Sequence, residues 1–305
     1  MKLIINDKTY TDNSAEADKN SIFVVSKHNE KYIQNAKENG CIEFLNSSEL
    51  KNHLDMSSIK IIGITGTNGK TTTATTIYKI LLSLGFKVAL QGTRGFFINE
   101  TQVEDYSLTT PIQLGNFVHI QKAIQNGCQF FVMEVSSHAI EQNRIEGLTF
   151  ALKIHTNITR DHLDYHKTIE EYIRVKNSFL SDDSVKLVNI DDNVMKYNFT
   201  NAFTYSLKNL SDYKVSKYEF EHGMKVEFSC KEKTYTFTSM MMGIFNIYNL
   251  MASIAAVHIT TQKSLEDICQ TLKNFSCVSG RMEIVSLNPL IIVDFAHTPD
   301  GMDEV

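Results

Sequence analysis

The sequence predicts an α/β protein: a small N-terminal α/β unit (1–57), a larger central unit (58–280) with a mostly parallel sheet and an antiparallel β flank, and the opening of a third unit (281–305). Three observations carry that prediction. From Ile59 onward, short runs of branched apolar residues alternate with stretches of helical periodicity, the texture of a parallel sheet with helices on both faces. A glycine-rich hexamer, "GTNGKT" at 66–71, joins the first of those strands to the helix after it. Between 202 and 240 the texture changes to short alternating β runs separated by "HG" and "KEK" turns.

Taken in order, "SIFVV" (21–25) reads as a strand, "EKYIQNAKENG" (30–40) as a helix stopped by Gly40, and "CIEFL" as a second strand, together a compact βαβ-like unit. "IKIIGIT" is a buried strand, 71–84 a helix and Gly85 its stop. "KVALQG" is the next strand, and "PIQLGNFVHIQKAIQNG" is a helix whose first turn suits Pro111. "CQFFVMEV" and "FALKIHTNIT" are buried strands. "TIEEYIRVKNSFL" is a helix opened by Thr168 and Glu171 at capping-box spacing, and "SVKLVNI" is a further strand. "FTYSL", "KVSKYEFE", "MKVEFSC" and "KTYTFTS" form the flank. Helices resume at "NIYNLMASIAAVHITT" and "SLEDICQTLKNF", and "PLIIVDFA" begins a last strand beside "AHTPDG".

Composition narrows the class. At 305 residues, 42% hydrophobic and 21% charged, the chain reads as an ordinary globular protein. It has no continuous apolar run of the roughly 18 residues a membrane helix needs. The start, "MKLIINDKTYTDNS", lacks the apolar stretch of a secretory signal. A formal charge of −5 argues against a nucleic-acid groove. Cys41, Cys128, Cys230, Cys269 and Cys277 are scattered without a CxxC pair, which suits reduced thiols in the cytoplasm. A monomer is the default expectation.

The chemistry concentrates in a few segments. Gly66, Thr67, Asn68 and Gly69 allow a turn whose backbone N–H groups point at phosphate oxygens, and the helix N-terminus beyond adds partial positive charge. Lys70 supplies a point charge for the β/γ-phosphates, and the Thr71 hydroxyl is a Mg²⁺ ligand type. Ile64 stands where the longer GxxxxGK[ST] pattern would begin, so the shorter GxxGKT fits; the bland alternative is an ordinary glycine turn. Glu134 ends the apolar "FFVMEV", where a metal-holding acid would sit beside such a loop, or where a structural carboxylate pair would. "NITRDHLDYH" gathers Asp161, His162, Asp164 and His166; the two histidines are four apart, a spacing metal sites use on helices. A hydrogen-bonded structural histidine explains His162 equally well.

Together these segments resemble the Mur ligase family over nearly the whole chain, and within it the branch that extends a UDP-linked muramoyl dipeptide by a third amino acid. The resemblance implies an ATP- and Mg²⁺-dependent amide bond at the D-glutamate γ-carboxylate of UDP-MurNAc-L-Ala-D-Glu, through an acyl phosphate, in peptidoglycan synthesis. It places ATP at 66–71, with Thr72, Asn249 of "NIYNLMASIAA" and Arg281 of "GRMEIV". It places the muramoyl dipeptide at Thr109 and Thr110 of "LTTP", at Ser136, Gln142 and Arg144 of "MEVSSHAIEQNRIEGL", and the uridine diphosphate at Ser14. It makes Thr71, Glu134 and His162 metal ligands, Lys70 and His162 catalytic, and Lys176 of "EEYIRVK" a carboxylated lysine; by itself that lysine would read as a surface charge. Phe295 replaces the tyrosine of the family's "DYAHTPD". The family's third, Rossmann-like domain is represented by its first strand alone, so this chain is expected to bind without turnover. The incoming amino acid, meso-diaminopimelate or L-lysine, is left open. The rivals are another Mur ligase or a folylpolyglutamate synthase, a non-catalytic binding module, and a phosphate-loop kinase or regulatory NTPase.

Overall fold

The computed structural model describes residues 1–105, 108–273, 275, 278–296 and 302; Cys277 and the 297–301 part of "AHTPDG" lie outside them. The strands are β1 (Lys2–Ile5), β2 (Lys8–Thr11), β3 (Ser21–Val25), β4 (Glu43–Asn46), β5 (Lys60–Thr65), β6 (Val88–Gly92), β7 (Gly95–Ile98), β8 (Thr101–Glu104), β9 (Phe130–Glu134) and β10 (Phe150–His155). They continue with β11 (Lys186–Asn189), β12 (Ala202–Ser206), β13 (Tyr213–Phe220), β14 (Met224–Cys230), β15 (Lys233–Ser239), β16 (Glu283–Leu287) and β17 (Leu290–Val293). The helices are α1 (Ile33–Glu38), α2 (Lys70–Ser83), α3 (Gln113–Gln125), α4 (Ser137–Glu141), α5 (Leu163–His166), α6 (Ile169–Phe179), α7 (Ile244–Thr261) and α8 (Leu265–Thr271).

Among the described residues, β1 to β4 form one sheet in sequence order. β3 and β4 are parallel and joined through α1, the βαβ unit the sequence predicts. A β1–β2 hairpin precedes it, turned at Asn6 and Asp7, both at positive φ, which short polar side chains tolerate. The sequence reading lacks that hairpin, and β4 starts at Glu43 rather than Cys41. Leu3 and Ile5 share an apolar cluster with Leu114 and Phe117 of α3, so the small sheet is fastened to the larger body.

The main sheet runs β15-β14-β13-β12-β11-β10-β5-β9-β6-β7-β8. From β13 to β6 neighbouring strands pair in parallel, so "FTYSL" (β12), expected in the antiparallel flank, belongs to the parallel part because it lies in parallel register between β11 and β13; β13 to β15 pair antiparallel as expected. At the other edge "GFFINETQVE" forms the antiparallel β7–β8 extension, which the sequence reading passes over. From β5 the chain crosses β9 to reach β6, then returns across β5 to β10. The strand order therefore reverses at the carboxyl end of β5, where ligands of open parallel sheets bind.

Three elements depart from expectation. Pro111 lies outside α3, whose N-cap is Ile112, because Pro111 O accepts from the Asn116 side chain before the helix begins. β10 ends at His155, because 156–159 turns away to bond the glycine loop. α7 is, by length and composition, apolar enough to cross a membrane, although the sequence reading finds no such run. Most of it is instead buried in the fold against α2 and β10 to β12.

Candidate active site

The glycine loop leaves β5 at the switch point and is pinned from behind. Thr67 N donates to Asn157 O at 2.8 Å, Asn68 N to Asn157 Oδ1 at 2.9 Å, and Thr156 Oγ1 to Asn68 O at 2.6 Å. Gly69 caps α2 at φ +83°, and a Cβ there would collide with Asn249 Oδ1 of α7. Asn249 thus lies against the loop. Lys70 curls over the turn and donates to Gly66 O (2.7 Å) and Thr67 O (2.8 Å). Desolvation pulls its pKa down, and the nearby Glu134 and Asp161 charges oppose that shift. Thr72 is buried in the first turn of α2.

Thr71 Oγ1 donates to Glu134 Oε2 at 3.0 Å. Glu134 ends β9 and is buried; desolvation raises its pKa, while Lys70, Thr93 and Thr71 pull it back. Two hard oxygens this close suit a Mg²⁺ that keeps its other positions for water and phosphate. Thr93 holds the same carboxylate twice, through N (2.9 Å) and Oγ1 (3.2 Å). Sequence reasoning missed Thr93; the available signal is its place just past the carboxyl end of a parallel strand.

A hydrogen-bonded path leads outward from Glu134. Thr93 Oγ1 meets Thr109 Oγ1 at 3.1 Å, and Thr110 Oγ1 donates to Glu134 O at 2.9 Å. Ser136 N donates to Thr110 Oγ1 (3.0 Å), while its own hydroxyl caps α4 by accepting from Ala139 N. Arg144 donates to Thr110 O (2.8 Å) and, through Nε and Nη2, to Gln142 Oε1 (2.9 and 2.6 Å). Arg144 and Gln142 line a cleft of about 870 Å³ together with Ser14, His28, Ser47 and Ile112. Three predicted substrate residues, from opposite ends of the sequence region involved, therefore share one cavity.

His162 caps α5 at φ +51°, with Nε2 3.4 Å from Asp161 Oδ2. Burial, and secondarily Lys70 and Lys176, keep its ring below the usual histidine pKa against the pull of Asp161. Its ring packs on those of His138 (5.0 Å) and Tyr172 (6.3 Å), and Tyr172 Oη meets Thr67 Oγ1 at 2.9 Å. His166, four residues on, packs on the same His138 ring at 5.6 Å. His166 turns inward to Ser137 Oγ (2.9 Å), and among the described residues no three His, Cys, Asp or Glu side chains converge as a ligand set. Lys176 is fully buried, with Nζ 4.9 Å over the Tyr172 ring, which excludes the surface-charge reading. Arg281 lies over Phe295 (5.5 Å) and near enough to the loop for its charge to lower the Lys70 pKa.

Residues 64–257 match the family described as the Mur ligase middle domain. The chain belongs to the Mur ligase family. This Mur ligase chain is 48% identical to the UDP-N-acetylmuramoyl-L-alanyl-D-glutamate--2,6-diaminopimelate ligase of Wolinella succinogenes, over 97% of the chain and 68% of that protein. The protein of the same name from Helicobacter hepaticus is 47% identical, over 98% of the chain and 66% of that protein. A solved structure of a ligase with that name superposes with a TM-score of 0.80 at 25% identity, covering 96% of the chain and 68% of its own. The chain spans about two thirds of the length of these relatives.

Proposed function

We propose that the chain carries the nucleotide and muramoyl-dipeptide sites of a cytoplasmic, ATP-dependent ligase that joins 2,6-diaminopimelate to the D-glutamate γ-carboxylate of UDP-N-acetylmuramoyl-L-alanyl-D-glutamate. The two relatives, both named as 2,6-diaminopimelate ligases, favour diaminopimelate over L-lysine. One observation supports the reading above the others: the path from Thr71 through Glu134, Thr93 and Thr109–Thr110 to Arg144, which links a phosphate loop to a substrate-sized cleft. A kinase or simple NTPase has no need of that connection. In this reading 1–57 holds the uridine end, 58–280 holds ATP, and 281 onward opens a third unit.

A carboxylate is a poor acyl donor, because its oxygen leaves badly. Phosphorylation by ATP converts it to an acyl phosphate, which the amine of the third amino acid attacks. The protein's task is to hold two anions in line. The loop amides and Lys70 neutralise the β/γ-phosphates, with Asn249 and Arg281 on the nucleotide side. Arg144, held flat by Gln142, presents a planar fork to a substrate anion. Ser14, Thr109, Thr110 and Ser136 complete the substrate side. Thr71 and Glu134 would hold one Mg²⁺ and His162 a second; when bound, they would supply charge neutralisation for the triphosphate and the substrate carboxylate. A carbamate on Lys176 would put an anion where a cation would repel the second metal; the buried, low-pKa amine is the form that accepts carbon dioxide.

Calorimetric titration of the chain with UDP-MurNAc-L-Ala-D-Glu, the corresponding UDP-tripeptide and a folate separates the branches. The dipeptide is expected to bind and the other two are not. Preference for the tripeptide or the folate would overturn the assignment.

A further inference from the structure

Beneath the glycine loop lies a set of buried polar groups for which the chemistry above has no use. β5 and β10 pair in parallel with Thr65 opposite His155. Ile62, Ile64 and Ile154 point into the cluster that contains α7, while Gly63 faces Phe150 and Phe179. By strand alternation, Thr65 and His155 point to the α6 side. α6 crosses that side antiparallel to the strands: Tyr172 bonds Thr67 above, and Phe179 packs on Gly63 below. Lys176 shares their helix face, one turn from each, and so stands level with Thr65 and His155.

Several of the groups in this layer make no hydrogen bond among the described residues. His155 is fully buried and neither ring nitrogen has a hydrogen-bond partner among the described residues; the same holds for Thr65 Oγ1 and Thr159 Oγ1. Asp192 Oδ2 lies 3.2 Å from His155 Nε2 at a poor angle, and that carboxylate is fixed by Ile158 N (2.6 Å) and Val194 N (3.0 Å). The other buried lysines reach oxygens: Lys153 finds Asp182 Oδ2 at 2.6 Å, and Lys186 finds Asp182 O and Thr200 O at 2.9 and 2.8 Å. Lys176 has an aromatic face instead. Buried polar groups left unpaired cost about 1–3 kcal/mol each, so several together mark a place built for another polar group.

We propose that His155, oriented by Asp192, is a positioning residue that forms and holds a carbamate on Lys176. This rests on the carbamate reading of Lys176 given above. The Lys176 lone pair forms an N–C bond to carbon dioxide, and one C=O π pair moves onto oxygen. The nitrogen sheds one proton to His155 Nδ1. The product is a lysine carbamate beside an imidazolium paired with Asp192, with the Thr65 and Thr159 hydroxyls free to donate to the carbamate oxygens. Burial disfavours the charged form of the amine and so favours the lone pair the step needs.

The test is ¹³C NMR of the 305-residue chain in ¹³C-bicarbonate. The wild type is expected to show a carbamate carbon that Lys176→Ala abolishes. His155→Phe should lower carbamate occupancy at fixed bicarbonate about tenfold, the scale of one hydrogen bond to a charged group. His155→Gln should restore part of it, and Asp192→Asn should raise the bicarbonate needed for half-occupancy. Thermal unfolding of each variant controls for the fold, and should His155→Phe not fold, the Gln and Asn variants decide. Wild-type occupancy in His155→Gln and Asp192→Asn, or in a folded His155→Phe, overturns the role of His155 while leaving the Lys176 reading intact. A wild type without carbamate at saturating bicarbonate overturns both.

Discussion

The glycine loop and the layer just below it are neighbours on one sheet, yet they treat polar groups in opposite ways. In the loop, Thr67, Asn68, Lys70 and Thr71 are all engaged by protein atoms. One layer down and beside it, the Thr65 and Thr159 hydroxyls and both His155 nitrogens make no hydrogen bond among the described residues, His155 has only the Asp192 carboxylate near it, and Lys176 rests on a ring. A site fully wired before a ligand arrives is rigid and presents fixed amides to whatever docks. A buried layer of unpaired groups has the reverse character: it is costly alone and gains from a group that completes it. The two regions should therefore answer differently to the same kind of damage.

The largest effect is expected at Glu134, on which the wiring converges. Glu134→Ala removes the acceptor of Thr71 and Thr93 together with the acid beside the phosphate site. Affinity for ATP in Mg²⁺ should fall roughly a hundredfold, with much less change when Mg²⁺ is withheld. Equal losses with and without the metal would make Glu134 a structural strut. Gly69→Ala follows. Its φ of +83° and the collision with Asn249 should cost about 1–3 kcal/mol in urea unfolding. A neutral result would mean the loop is far softer than its bonds indicate.

How far the sequence revealed this contrast depends on how local each cause is. β5, the glycine turn and α2 are contiguous, so apolar run, glycines and helix periodicity state the same thing within 25 residues of one another, about the reach of sequence patterns. The parallel sheet and its antiparallel flank were legible in the same way. The β1–β2 and β7–β8 hairpins were not, because each strand has only four residues, and β1, β2 and β8 mix polar and apolar side chains. Thr93 belongs to no motif; its importance is two bonds to a residue 41 positions away. His155 reads as one more strand residue in "FALKIHT", and what singles it out, burial beside Asp192 with no hydrogen bond to either ring nitrogen among the described residues, exists only in three dimensions. The 162/166 spacing likewise says nothing of the company the two rings keep: both pack against His138 and Tyr172.

A smaller effect is expected in the cleft. Arg144 is held by two bonds to one Gln142 oxygen, so its plane is set before substrate arrives. Arg144→Lys keeps the charge and loses the fork. Affinity for UDP-MurNAc-L-Ala-D-Glu should drop about tenfold while ATP affinity stays unchanged. A loss in both would mean that the cleft and the loop are one cooperative unit.

The subtlest test sets Lys70 against Lys176 in bicarbonate-free buffer. Lys70→Met removes bonds to Gly66 O and Thr67 O and should destabilise by about 1–2 kcal/mol. Lys176→Met removes a desolvated amine that lies on a ring, and an apolar side chain of similar length should be neutral or stabilising by about 1 kcal/mol. The sign against pH follows from proton counting. An unfolded lysine keeps its proton to about pH 10.4. Burial makes folded Lys176 release it at lower pH. Between those limits the unfolded chain binds more protons, so raising the pH stabilises the wild type, and the burial penalty is gone as pH nears the unfolded value. The advantage of Lys176→Met should thus shrink as pH climbs toward 10. If both substitutions destabilise alike at every pH, the layer under α6 is as well satisfied as the loop above it, and the contrast between them does not exist.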